Sequence, residues 1–318
     1  VYGDGNKLVI DETEWKEMLE ASKGKSIKVE VYANANGKWH AYKPFCINVA
    51  TDTIDRYISY RLIQPSYVAY EKLVIAQRDL TTFEEKEIYN NMSVSTDANA
   101  QCINCHSYRN FKTDQMLFHM RQAYGGTMIV QGSELKKVDL KTDKTISAGV
   151  YPAWNPAYNI IAFSTNKTGQ QFHTNDNAKV EVMDTESDLI IYDVDKNTVS
   201  IVSELRDELE VFPTWSPDGN TLYYCSAHLQ NVSDSTDLDK LIHENYQRLF
   251  YDIYAIDYDN STKTFSNKRK IYNSAAIEKS ASLPRVSPDG RYLLFAQGNY
   301  GCFHVWHKEA DIMMLDLT

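Results

Sequence analysis

The sequence predicts a mainly β protein: an N-terminal β-rich, sandwich-like domain, a short helical segment carrying a Cys-x-x-Cys-His motif, and a β-propeller. Three observations lead there. A Pro-centred motif recurs three times after residue 127, a second, Asp-bounded motif runs in phase with it, and runs rich in Val, Ile and Tyr outnumber segments with helical spacing. The boundaries fall at 1–95, 96–126 and 127–318.

At 318 residues the chain is long enough for two domains with real cores. Hydrophobic residues make up 43% and charged residues 24%, which is globular composition and not disorder. The formal charge of −10, with no Lys/Arg patch, argues against a nucleic-acid partner. No apolar window of about 18 residues is present, so no transmembrane segment is expected, and no lipid-anchor signal is visible. The chain begins with Val1, as it would after removal of a signal peptide or after trimming. Its five cysteines are an odd number and, apart from Cys102 and Cys105, are scattered, so they do not form a disulfide framework.

Residues 11–23 read as a short helix, with acidic residues in the first turn and Gly24 as the stop. Ser26–Ala33, Trp39–Val49, Arg56–Ile63 and Tyr67–Gln77 read as strands, which makes 1–95 a β-rich domain. Over residues 92–125 the apolar alternation stops. Thr113 suits an N-cap, and Met116, His119, Met120 and Ala123 fall at helical spacing before Gly125 and Gly126, so a second helix is expected there.

The repeats follow. Tyr151-Pro-Ala-Trp-Asn-Pro-Ala-Tyr, Phe212-Pro-Thr-Trp-Ser-Pro-Asp-Gly and Leu283-Pro-Arg-Val-Ser-Pro-Asp-Gly each precede an apolar run. In phase with them come strands headed by Glu134, Asp188, Asp252 and Asp311 and ending in Asp. Pro-Asp-Gly makes a tight turn, because Pro fixes φ and Gly supplies φ > 0. The hairpin, the Asp-bounded strand and the segment after it make one four-stranded blade, whose faces only neighbouring blades can cover. The pattern W-S-P-D-G-x-x-L-x-[YF] resembles the repeat of TolB-type propellers over roughly 127–318, although the first copy has Asn-Pro-Ala-Tyr-Asn in place of Ser-Pro-Asp-Gly. Propellers of that family typically have six blades. Two fuller blades and part of one on each side are countable here, which implies a longer native chain or a small or open propeller.

Cys102-Ile103-Asn104-Cys105-His106 is the most informative motif. Two thiols three residues apart can form thioethers with the two vinyl groups of one haem, with His106 as an axial iron ligand. Chance is a weak explanation, since on the order of 0.002 such motifs are expected from this composition. A redox Cys-x-x-Cys would want a thioredoxin-like context, a zinc site would want a second ligand pair, and an exported chain could simply hold a disulfide. For the sixth iron position His119 is the first candidate and Met120 the next; the alternatives are an ordinary hydrogen-bonded histidine and core methionine. Arg109 and Arg121 could meet haem propionates or be ordinary solvated charge.

The order of a β-rich region, a Cys-x-x-Cys-His segment and TolB-like repeats resembles a family of uncharacterised envelope proteins related to c-type cytochromes; CINCHSY, FHMR followed by GGT, and the repeats carry the resemblance. It implies covalent haem c, export to the periplasm or the outer membrane of a Gram-negative-type envelope, and electron transfer with the propeller as docking platform. The other reading is a non-catalytic envelope scaffold with a structural or sensory haem. Insertions 165–187 and 226–251 fall between the second and third strands of their blades and would emerge on one face to meet a protein partner. An enzyme is less expected: no G-x-S-x-G elbow is present, and peroxidase chemistry would need an open sixth iron position.

Overall fold

The structure, a computed structural model, describes residues 3, 5, 7–64, 70–82, 84–172, 180–203 and 205–318. The chain forms two compact units, Val1–Gln64 with Val74–Asn90 and Pro65–Leu73 with Asn91–Thr318.

In the first unit, α1 (Glu12–Ala21) starts where expected, with the Asp11 carboxylate accepting from Thr13 N at 2.9 Å and Glu14 N at 3.3 Å. Strands β1 (Ser26–Val29) and β4 (Phe45–Asn48) pair around a hairpin of β2 (Tyr32–Ala35) and β3 (Lys38–Ala41). The hairpin turns on Asn36-Gly37, both at positive φ, the pairing a two-residue turn prefers. Then β5 (Tyr57–Leu62), β6 (Val74–Asp79) and β7 (Glu85–Asn90) form a three-stranded meander with Val74, Ile75 and Ala76 buried on its middle strand. In place of one packed sandwich, the unit thus holds two-stranded ribbons, largely exposed, and one sheet. Of the expected strand Tyr67–Gln77, residues 67–69 lie outside the described residues.

The second unit is built of four up-and-down antiparallel sheets in chain order. The first contains β8 (Cys102–Tyr108), β9 (Gln115–Arg121), β10 (Gly126–Gln131) and β11 (Glu134–Val138). The second contains β12 (Val150–Trp154), β13 (Ile160–Phe172), β14 (Val180–Asp193) and β15 (Thr198–Ser203). The third contains β16 (Glu208–Trp215), β17 (Thr221–His228), β18 (Asp252–Asp259) and β19 (Thr264–Tyr272), with α2 (Leu238–Asn245) between its middle strands. The last contains β20 (Ser280–Val286), β21 (Tyr292–Gly298) and β22 (Asp311–Asp316).

First strands neighbour one another, β8 against β12, β12 against β16 and β16 against β20, which is the arrangement of propeller blades. Three cores lie between successive sheets. Leu117, Ile129, Trp154 and Phe163 join the first pair, Ile160, Ile191, Trp215 and Leu222 the second, and Val211, Cys225, Ile253, Leu293 and Phe295 the third. Each fully buried Leu, Ile or Phe contributes about 1.5–3 kcal/mol, so a sheet without its neighbour loses most of its stabilisation. With the β5–β7 meander of the first unit, five sheets of this kind follow one another along the chain.

The expected turns form as read. Gly219 N donates to Ser216 O at 2.9 Å and Gly290 N to Ser287 O at 2.8 Å, each glycine at φ +75°. The divergent first copy solves the same problem with a side chain. Asn155 Oδ1 accepts from Ala157 N and Tyr158 N, both at 2.9 Å, as an Asx turn does.

The helical segment expected within 96–126 is corrected. Gln115–Arg121 is the strand β9, and Cys102–Tyr108 is the strand β8 paired with it. Met116, Phe118 and Met120 occupy one face and Leu117 and His119 the other, all buried. A strand buried on both faces reads as a continuous apolar run, and its i, i+4 coincidences mimic helical spacing.

Candidate functional site

The site begins with a repeated backbone irregularity. In each of the four sheets the register between first and second strands slips at one place: between Asn104 and Ser107, Val150 and Ala153, Val211 and Thr214, and Ser282 and Arg285. At each slip one residue takes a left-handed backbone: Cys105 (φ 49°), Tyr151 (φ 50°), Phe212 (φ 56°) and Leu283 (φ 53°). A non-glycine residue there costs about 1–2 kcal/mol, so four copies must be supported by packing. The Tyr151 and Phe212 rings meet with centroids 4.4 Å apart, and Tyr151, Phe212 and Leu283 all join the largest core.

This equivalence places the Cys-x-x-Cys-His motif. Cys105-His106-Ser107-Tyr108 occupies the positions of Tyr151-Pro-Ala-Trp, Phe212-Pro-Thr-Trp and Leu283-Pro-Arg-Val, so the blade pattern starts one sheet earlier than the proline motif reveals. The strand is held on both sides of Cys102 by the buried Asn91 side chain, which donates to Gln101 O at 2.9 Å and accepts from Ile103 N at 3.2 Å. Cys105 N donates to Asn104 Oδ1 at 2.9 Å.

Cys102, Cys105 and His106 all lie on β8, which bulges at Cys105. His119, the first candidate for the sixth position, is buried at 3% exposure between the first two sheets, with Nδ1 3.2 Å from Thr127 Oγ1. Burial, helped by the Arg121 charge, lowers its pKa to about 4, so its imidazole is neutral at pH 7. Met120 is buried on the opposite face, across from Ile103. Arg109 follows the far end of β8 while Arg121 ends β9 beside Cys102, so the two arginines sit at opposite ends of one hairpin. Among the described residues, no three His, Cys, Asp or Glu side chains are placed to share a metal ion, and no disulfide forms.

Arg121 and Leu117 share the β9 face that packs on the second sheet. On the first strand of that sheet, burial, helped by the Asp184 charge, raises the Tyr151 pKa well above its ordinary value. Asp184 is buried and accepts from Asn166 Nδ2 at 2.6 Å and Thr168 Oγ1 at 2.5 Å. Burial raises its pKa to about 6, against the lowering by those two bonds and by Arg121.

The first sequence insertion is an extension of the middle strands of its sheet, and the second is a helix-bearing connection. β13 and β14 stay paired out to Phe172 and Val180, and residues 173–179 lie outside the described residues. The second insertion, 226–251, holds α2, capped by Asp237 and packed on β14. Lys167 on the hairpin meets Asp239 of α2 at 2.8 Å. A third connection of the same kind, between β21 and β22, has no insertion signature in the sequence. Its His307 Nε2 lies 3.1 Å from Glu181 Oε2 on β14, with both side chains buried. His304, whose Nε2 lies 3.0 Å from Gly301 O, stacks near His307. Second-to-third-strand connections of three consecutive sheets are therefore fastened to one another. Tyr151, Asp184, Glu181 and His307 escaped sequence reasoning; the available signal was the run of acidic residues within insertion 165–187.

No family model and no curated protein matches the chain. Solved structures that it resembles include one described as TolB from Agrobacterium tumefaciens, with 11% identity, TM-score 0.47, and 88% of this chain and 81% of that one covered. Oligogalacturonate lyase from Vibrio parahaemolyticus gives 12% identity and TM-score 0.41 over 88% of this chain and 74% of that one. Prolyl oligopeptidase B from Galerina marginata gives 10% identity and TM-score 0.44 over 96% of this chain but 38% of that one. At these values the likenesses carry no functional argument, and the propeller assignment rests on the sheets themselves. Among the described residues, no helix is long and apolar enough to cross a membrane.

Proposed function

We propose that the second unit is a binding module that docks a protein partner on the face formed by the β13–β14 hairpin, α2 and the β21–β22 connection. The observation that carries this reading is the fastening of those three connections by Lys167–Asp239 and Glu181–His307. Glu181–His307 is buried, a tie across sheets that merely tolerated loops do not make, and Lys167–Asp239 adds an exposed pair beside it. Phe172, 71% exposed on the hairpin, supplies an apolar contact at its outer end. A photo-crosslinking residue at Phe172 tests the reading in the native host, with the same residue at exposed Lys196, at the opposite end of the sheet, as control. One discrete adduct from position 172 and none from 196 is expected. Equal adducts from both, or none from 172, reject it.

A second reading keeps the chemistry of Cys102, Cys105 and His106: covalent haem c on the two thiols with His106 on the iron, in an envelope electron carrier or a scaffold with a structural haem. The donor set supports it. The mass of denatured protein from its native host decides: one added haem supports the reading, and the bare polypeptide mass ends it. Export to the periplasm goes with this reading.

A further inference from the structure

The last sheet is open where its predecessor is covered. Asp311-Ile-Met-Met-Leu-Asp316 on β22 repeats Asp252-Ile-Tyr-Ala-Ile-Asp257 on β18. The two strands sit alike. Tyr254 and Ile256 pack on the core shared with the preceding sheet, and so do their equivalents Met313 and Leu315. On the opposite face Ile253 and Ala255 are fully buried, whereas their equivalents Ile312 and Met314 are 82% and 65% exposed.

The outer edges differ in the same way. β18 is paired there by β19, whose Lys270 Nζ lies 2.6 Å from Asp252 Oδ2 and whose Arg269 Nη1 lies 2.7 Å from Asp257 Oδ1. Adjacent residues of a strand point to opposite faces, so one Arg-Lys pair serves both aspartates. β22 pairs with β21 alone among the described residues. Asp311 has no ion pair there, and the one ion pair of Asp316 is with Arg291 at 3.3 Å, both side chains about half exposed.

A bare strand edge presents unpaired N–H and C=O groups that an added strand satisfies. Between its terminal aspartates β22 carries no charge and no proline, and its register with β21 has no bulge, so the usual guards of an edge are missing. The two carboxylates disfavour an acidic strand and favour a basic one. A second copy of β22 would bring only more carboxylates to the edge, which argues against self-pairing.

We propose that β22 takes up an extended, basic strand of a partner protein along its outer edge. Adjacent Arg and Lys side chains of that strand meet Asp316 and Asp311, and its apolar side chains cover Ile312 and Met314. The surface goes beyond the docking reading, since it needs neither the β13–β14 hairpin nor α2.

The chain's own example of such a strand is β19, so the peptide Thr264–Tyr272 (TFSNKRKIY) is the probe. A fluorescent form is titrated with the whole chain and read by anisotropy, beside a control peptide carrying Arg269→Glu and Lys270→Glu. Saturable binding of the basic peptide is expected, with the control about tenfold weaker or more. Asp311→Lys with Asp316→Lys in the protein should weaken the basic peptide about tenfold or more and make the acidic control the better ligand. Asp143→Lys, at an exposed position after β11, should change nothing. Should the double variant fail to fold by circular dichroism, Asp311→Asn supplies the comparison. The proposal falls if the basic peptide does not bind at about 1 mM, if the acidic control binds as tightly, or if the β22 variants bind as the wild type does. It falls too if sedimentation shows a dimer that those variants abolish, which would give the edge to a second copy.

Discussion

The Asn155 side chain donates from Nδ2 to the Gly219 carbonyl at 2.9 Å, joining the first turn of one sheet to the first turn of the next. A Cβ on Gly219 would stand 2.3 Å from Asn155 Oδ1, and the glycine holds φ +75°. Gly219→Ala therefore meets both backbone strain and a clash, and is expected to cost about 3 kcal/mol or more. Gly290 has the same φ, but a Cβ there has nothing nearer than Pro217 at 3.5 Å, so Gly290→Ala should cost only about 1–2 kcal/mol. Urea unfolding of both variants checks the order; equal costs would contradict the clash.

Asn155→Ala strands three backbone groups at once: the Gly219 carbonyl and the amides of Ala157 and Tyr158. At a fully buried position this should cost about 2–4 kcal/mol. Asn155→Asp should recover part of it, because a carboxylate still accepts from both amides. Chemical denaturation of the two variants side by side reads the difference.

Two buried groups set opposite pH slopes. His119 titrates near 4 in the folded chain against an ordinary 6.5, so the unfolded chain binds the extra proton between those values. The stability it contributes is complete above about 6.5 and is lost as pH falls toward 4, roughly 3 kcal/mol over the window. Asp184, raised to about 6 from 3.8, works the other way, and its stability is lost as pH rises from 4 to 6. Burial also raises Glu210, despite nearby Lys268, to about 7, with the same sign as Asp184. His119→Gln is thus expected to make stability fall more steeply as pH rises from 4 to 6.5, and Asp184→Asn to remove the part of the fall that lies between pH 4 and 6. Urea melts at half-unit pH steps check both slopes.

Cys105 sits where a left-handed residue is required, a conformation that Asn adopts far more easily than β-branched residues do. Cys105→Asn should stay within about 1 kcal/mol of the wild type, and Cys105→Val should lose about 2 kcal/mol or more. Thermal melts of the haem-free chain decide; a tolerated Val would show that the bulge is not fixed.

The propeller was legible because Pro152, Pro213 and Pro284 mark the bulges of three first strands, and Pro-Asp-Gly marks two of the turns after them. The earlier sheet hid from the same reading for local reasons. Its bulge carries Cys105-His106 in place of an apolar residue and proline, and its turn, around Arg109–Phe111, has no Pro or Gly. Its second strand packs on both faces, which removes the alternation that betrays a strand. Tyr108, three residues after the bulge as Trp154 and Trp215 are after theirs, was the remaining clue. The contact between Glu181 and His307 was less legible still, since the two residues lie on different sheets and 126 positions apart in the chain.

The turn contacts also form a series. Asn110 Nδ2 donates to Pro156 O and Asn155 Nδ2 to Gly219 O, both at 2.9 Å. The first three sheets of the second unit are thus buttoned turn to turn, one contact at a time. Under mechanical load such a row should open like press studs, giving a sawtooth of separate rupture events along the extension trace.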